Sequence, residues 1–173
     1  MTVIFIDGND LRAAEVARIA PKLAITVEAL QSGFSTSAPE PGHRARDKVL
    51  AHPVTSGCFA EAVDLTTMDG KSLRLELDSE NENRFCKWWR EKPVKMQLVI
   101  AVRRAPGADI ELFAAVCEGR IADKPAGPHL LGWDRLFVPA GEDFTLAQLT
   151  EAGEVIEFRR AAYTQVAAAF DVA

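Results

Sequence analysis

Of its 173 residues the chain has only three cysteines, three histidines and one tyrosine. Cys58, Cys86 and Cys117 are an odd number with no C-x-x-C spacing, which argues against a disulfide framework and against a zinc cluster. They read as reduced thiols in a cytoplasmic protein, where cysteine is simply a small apolar residue. His43, His52 and His129 have no mutual spacing suited to a metal ion. No run of about 18 apolar residues occurs, so no membrane-spanning helix is available. The opening MTVIFIDGND lacks the basic start and the longer apolar segment of a secretory signal. A basic excess is also missing. The net charge of −5 disfavours a protein that grips long nucleic acid by its phosphates. It leaves room for a compact phosphate pocket built from a few cations.

What is present is ordinary globular material, 48% apolar and 26% charged, enough for one domain with a core or two small lobes around a cleft. VIFI (3–6) reads as a buried strand and DGND as a turn. Asn9 or Asp10 can cap a helix over LRAAEVARIA, whose Ala13, Val16, Ala17 and Ala20 share a face and which Pro21 ends. LAITVEAL (23–30) alternates as a second strand, so the chain opens β–turn–α–β and predicts parallel pairing in an α/β fold. The segment 32–42 reads as a loop and HRARDKVLAH as a short helix stopping before Pro53. EAVDLTT and SLRLEL flank MDGK as a hairpin with Asp69-Gly70 at its tip. RFCKWWREK is helical. KMQLVIAVRRA and IELFAAVCEGRIA are long strands joined at PGAD. LFVP, the helix TLAQLTEAG and a last helix EVIEFRRAAYTQVAAAF complete the chain. Neither an internal repeat nor a convincing linker divides it, so residues 1–173 are expected to form a single domain.

Two stretches carry chemistry. In Asp7-Gly8-Asn9-Asp10-Leu11-Arg12 a glycine lets the backbone approach a ligand, and the helix start offers N–H groups and positive partial charge to phosphate. Arg12 adds a forked cation on the first turn. The alternative is a capped helix with a solvated arginine. The second stretch, GWDRLFVPAGEDFTLAQL (132–149), sets Trp133 and Asp134 beside a strand and a helix start.

Taken in series, CEGRIA, LLGWDRLFVPAG, FTLAQL and EFRRAA resemble the inosine triphosphate pyrophosphatase family, which removes non-canonical purine nucleotides. The resemblance covers about a third of the chain, and the DGNDLR turn matches the place where that family seats a triphosphate. It implies an elongated, twisted central sheet flanked by helices, with two lobes around a nucleotide-binding cleft. It also implies a magnesium-dependent pyrophosphohydrolase acting between the α and β phosphates. By this likeness Asp7, Gly8, Asn9, Arg12 and Lys87 bind phosphate, with Lys87, Trp88 and Trp89 on the family's Lys-Trp helix. The two tryptophans suit packing better than ligand contact. Leu131, Gly132, Trp133, Asp134, Glu157, Phe158 and Arg159 border the base. The catalytic, magnesium-holding carboxylate is Asp78 or Asp64. Asp78 is preferred because it stands next to the Lys-Trp-Trp helix, with Glu76, Glu80 and Glu82 near it, although an acidic helix start also serves the dipole. A homodimer is a further implication.

Departures from the family's motif gather around this chemistry. Leu131 stands where a stacking aromatic is expected, which forgoes about 1–3 kcal/mol of base stacking. Arg135 replaces a proline, Glu154 a lysine, and Glu157-Phe158 the first two residues of a Ser-His-Arg triplet. Asp7 replaces a hydroxyl, and its charge repels phosphate unless a metal ion intervenes. Glu157 accepts hydrogen bonds where the family donates, so the preferred base should carry an amino group. Two further readings stand beside the enzyme: a homologue that has lost catalysis and binds a nucleotide or a partner, and an α/β binding protein unrelated to nucleotides.

Overall fold

The computed structural model describes residues 2–53, 56–74 and 81–170. In chain order these form β1 (Thr2–Ile6), α1 (Asp10–Ile19), β2 (Ala24–Glu28), α2 (Pro41–Ala51), β3 (Cys58–Thr67) and α3 (Glu82–Trp89). After them come β4 (Pro93–Arg103), β5 (Ile110–Ile121), a 3-10 segment (His129–Arg135), β6 (Phe137–Pro139), α4 (Leu146–Glu151) and α5 (Glu157–Ala169). The strands make one mixed sheet in the order β2-β1-β3-β4-β5-β6. As the β–turn–α–β opening requires, β1 pairs in parallel with β2, and it also pairs in parallel with β3. The short β6 runs antiparallel to the end of β5.

The chain divides into two compact units. The first comprises residues 1–62, 98–115 and 157–173. Its strand β1 is apolar on both faces because both are covered, the signature of a parallel strand inside an α/β unit. Ile4 and Ile6 join Ala45 and Val49 of α2 and Cys58, Ala60 and Ala62 of β3 in a buried cluster. On the alternate positions Phe5 stacks on Phe59, ring centroids 4.4 Å apart. Of the face expected for α1, Val16 and Ala20 are buried and Ala13 half-buried, and only Ala17 departs. Arg12, Glu15 and Val16 are its buried residues, while Ala17 lies exposed. A face chosen by apolarity misses a helix that turns an ion pair inward.

The second unit comprises residues 63–97 and 116–156. Asp69-Gly70 forms the expected turn, with Gly70 at φ 93° and Thr66 bridged antiparallel to Ser72. Of the returning strand expected over SLRLEL, Ser72 makes the bridge and Arg74 is helical, and the remainder, from residue 75, lies outside the described residues. Helix α3 places Phe85 and Cys86 inside, and Phe85 stacks on Trp89 at 6.2 Å. Trp88, expected as packing, is 57% exposed. The single-turn start of α4 is closed by a capping box between Thr145 and Gln148.

Pairing of β5 with β6 depends on Gly119. A Cβ there would stand 2.3 Å from the Val138 carbonyl oxygen and 2.6 Å from the Phe137 ring, both held in the adjacent strand. Gly119→Ala is therefore expected to cost about 1–3 kcal/mol, the usual range for overpacking a fitted site. Thermal unfolding of the two proteins side by side measures it, and an unchanged Tm would contradict the assignment.

Candidate functional site

In the first unit the DGND turn is built by the backbone. Asp7 adopts φ 56°, a left-handed conformation that short polar side chains tolerate, and its N–H donates to the Glu28 carbonyl at 2.7 Å. Gly8 follows because a Cβ would meet the Phe5 ring at 2.6 Å. Asn9 caps α1, its Oδ1 accepting from the Arg12 N–H at 3.0 Å. Asp7 is not left to repel an anion by itself. Lys48 of α2 reaches its carboxylate at 2.7 Å and also donates to the Glu61 carbonyl at 3.2 Å. Lys48 was not foreseen from the sequence, where it is one of several basic residues on a polar helix.

Arg12 does not point into solvent. It is 3% exposed, paired with Glu15 one turn on and with Glu61 of β3, whose Oε1 accepts from its Nε at 3.2 Å. Arg159 of α5 enters the same cluster, its Nε 3.9 Å from Glu15 and its Nη1 3.8 Å from Glu61. Tyr163, one turn further along α5, donates its hydroxyl to the other oxygen of Glu61. Two guanidinium groups and two carboxylates thus neutralise one another in the interior. Of the triplet expected at the base, Arg159 is wholly buried and Phe158 nearly so, with the guanidinium 5.3 Å from the Phe158 ring. Glu157 is the exposed member, its side chain 3.7 Å from Arg160. Glu61 is the functional candidate that sequence reasoning passed over. It lies inside an apolar strand, and the only signal was a lone carboxylate among CFAEAV.

In the second unit the GWD stretch is a 3-10 turn broken at Gly132, whose φ of 49° and ψ of −121° no β-carbon-bearing residue adopts comfortably. Leu131 is buried, Trp133 half-buried and Asp134 only 2% exposed. Arg135 fixes the turn from behind. Its Nε donates to the Gly127 carbonyl at 3.1 Å, its carbonyl accepts from Ala126 at 3.0 Å, and its guanidinium pairs with Glu82 at the start of α3. Lys87 of α3 is exposed. Asp64 is 3% exposed and accepts from the Ser72 hydroxyl at 3.0 Å. Asp78 lies outside the described residues, as do Glu76 and Glu80.

The thiols are quiet. None of the three forms a disulfide, and burial, reinforced by the Glu82 carboxylate, pushes the Cys86 thiol up to about 11. Among the described residues no three His, Cys, Asp or Glu side chains group as a metal site would need, and no helix is long and apolar enough to cross a membrane.

Tyr163 offers a spectroscopic test of the buried cluster because it is the chain's only tyrosine. Burial, and then the Glu61 carboxylate, hold its phenol well above its ordinary value of 10.0. The folded pKa exceeds the unfolded one, so the stability contributed by the neutral phenol is intact below about pH 10 and is lost as pH rises beyond it. The tyrosinate absorbance of the native protein should therefore appear only together with alkaline unfolding. Tyr163→Phe should show a flatter decline of Tm above about pH 10. Ionisation of the native phenol at its ordinary pH would contradict the cluster.

The comparisons with known proteins agree on the family. The model of the Ham1 family matches residues 72–169, a span that contains α3, the GWD turn and the whole of α5. A dITP/XTP pyrophosphatase of Methanopyrus kandleri is 30% identical over 161 residues, covering 86% of this chain and 85% of its own. An inosine triphosphate pyrophosphatase of Yarrowia lipolytica is 27% identical, covering 87% and 85%. In fold the chain is similar to the HAM1 protein of Coxiella burnetii, with a TM-score of 0.68 at 16% identity over the whole of both chains. With a family match over more than half its length, and a relative this similar along most of the rest, the chain belongs to the Ham1 family.

Proposed function

We propose that the chain is a nucleoside triphosphate pyrophosphohydrolase. It converts a non-canonical or modified purine ribo- or deoxyribonucleotide to the monophosphate and pyrophosphate. The observation that carries this reading is the likeness, along 86% of the chain, to a protein named for that chemistry. In it, water attacks the α phosphorus, the bond from that phosphorus to the bridging oxygen breaks, and pyrophosphate leaves with the electron pair. Asp78 or Asp64 takes the proton from the water. The Asp7–Asn9 turn and the N-terminus of α1, with Arg12 and Lys87, receive the phosphates. Trp133 and Asp134 form one wall against the base, with Leu131 and Gly132 beside them; Arg159 and Phe158, expected at the base, are instead buried, Arg159 against Glu15 and Glu61. The cytoplasm as its location belongs to the same reading, and so does a homodimer, which the exposed Leu112 and Val116 of β5 favour.

Magnesium is part of the proposal. The donor chemistry suits it, because Asp64 offers a buried carboxylate whose Oδ1 is oriented by Ser72, and magnesium takes oxygen ligands. Asp64 with Asp78 would hold the ion, which supplies charge neutralisation on the phosphate oxygens.

One observation favours a second reading, a homologue that binds nucleotide or a partner without turnover. The charges of Arg12 and Arg159 are already balanced by Glu15 and Glu61. Pyrophosphate release from a panel of triphosphates with magnesium, including dITP, XTP, ITP, ATP and GTP, separates the two. Turnover supports the enzyme, and calorimetric binding without turnover supports the module. Within the panel, Glu157 as an acceptor predicts preference for a base with an amino group, and a profile led by ITP would count against that role. Asp134→Ala is expected to raise KM by roughly 10- to 100-fold if it contacts the base edge, on the order of the cost of one lost charged hydrogen bond.

A further inference from the structure

The Arg135 contacts go beyond what the reaction requires, and the inference drawn from them rests on the proposed function. Arg135 is 7% exposed, a charge buried at the end of the segment that carries Trp133 and Asp134. It is tied three ways. Its guanidinium pairs with Glu82, its Nε holds the Gly127 carbonyl, and its own carbonyl holds the Ala126 N–H. The Ala126–Gly127 step is itself clamped, for Thr145 donates to the Ala126 carbonyl at 2.9 Å and a Cβ on Gly127 would strike Ala147 at 2.7 Å. Glu82 opens α3, and Asp78 precedes it by four residues in the chain. A rigid link therefore runs from the start of α3 to the base wall.

We propose that Arg135, through its ion pair with Glu82, is the positioning residue that sets the Trp133–Asp134 wall and so determines affinity for the base. A site of this kind selects by geometry, and small displacements of a contact are felt strongly in binding. An exposed pair of the same unit, Arg90 with Asp123, holds no part of the turn and serves as the control.

The test compares wild type, Arg135→Ala, Arg135→Lys, Glu82→Gln and the control Arg90→Ala in steady-state hydrolysis and in amide hydrogen exchange. Arg135→Ala and Glu82→Gln are expected to raise KM roughly ten-fold while kcat changes by less than about three-fold. Exchange of amides 131–136 should quicken roughly ten-fold, with Arg135→Lys intermediate and Arg90→Ala unchanged. Wild-type KM together with wild-type exchange in Arg135→Ala would overturn the inference, and so would a fall in kcat at constant KM. Should Arg135→Ala fail to fold, Glu82→Gln keeps the side-chain size and decides the matter. If the wild type hydrolyses no nucleotide in the panel, it is the functional reading that has failed. The exchange data on the turn then support or overturn the positioning role independently.

Discussion

Three buried charges, Arg12, Glu15 and Arg159, and the half-buried Glu61 set the terms for the first unit. They come from α1, β3 and α5, elements far apart in the chain, and two of the four side chains are fully inaccessible. Removing any one would leave an opposite charge buried without compensation, a defect that typically costs about 3–5 kcal/mol. Replacing all of them by apolar residues need not be costly, so their retention is better explained by what they specify. They fix how the helix after the DGND turn meets the strand with Glu61 and the helix with Arg159. The exposed edge of the cluster is Glu61, at 17% of its side chain, and through it any anion would meet the cations. On the proposed reading a phosphate at Arg12 would compete with that carboxylate, so affinity would depend on a difference between two charged contacts.

The GWD turn is held by different means. There the backbone conformation is unusual, at Gly132, and the stabilisation comes from Arg135, Thr145 and the close approach of Gly127 to α4. Trp133 and Asp134 are carried on this support without being its source. Such a division is what a binding wall needs. The residues proposed to face the base are held by packed neighbours, so a small misfit would not be absorbed by side-chain motion.

Much of the fold was legible because its elements obey local rules. The alternation of 23–30, the Asn9 cap, the Asp69-Gly70 turn and the two long strands about PGAD all appear with small shifts at their ends. The site was less legible, and for a physical reason. Periodicity locates apolar faces, so it placed Ala17 inside and did not foresee Arg12 and Glu15 as buried partners, whereas the buried face of α1 is partly ionic. Glu61 and Lys48 gave no pattern at all, since a single charge in a strand or on a polar helix gains meaning only from partners distant in sequence. The helical Arg74 within SLRLEL has the same origin: a good turn guarantees the first bridge at Thr66 and Ser72, and tertiary packing makes the chain helical two residues on.

Three residues that depart from the family's motif each have an ionic partner here, and the partners are of unequal worth. Glu157 with Arg160 is an exposed pair one turn apart, of the kind worth about 0–1 kcal/mol. Asp7 with Lys48 is half-exposed, and its effect is local: the lysine cancels the charge that would otherwise oppose phosphate at the turn, which removes one reason for assigning a metal ion there. Arg135 with Glu82 is the most buried on the arginine side and the most constrained. A site that had merely decayed would accumulate changes without regard to compensation, leaving unpaired charge at the buried positions. Instead, the deeper a substituted charge lies, the more completely it is answered. That ordering supports the proposed enzyme over a homologue that has lost turnover, with the compensation gathered at Asp7 and at Arg135.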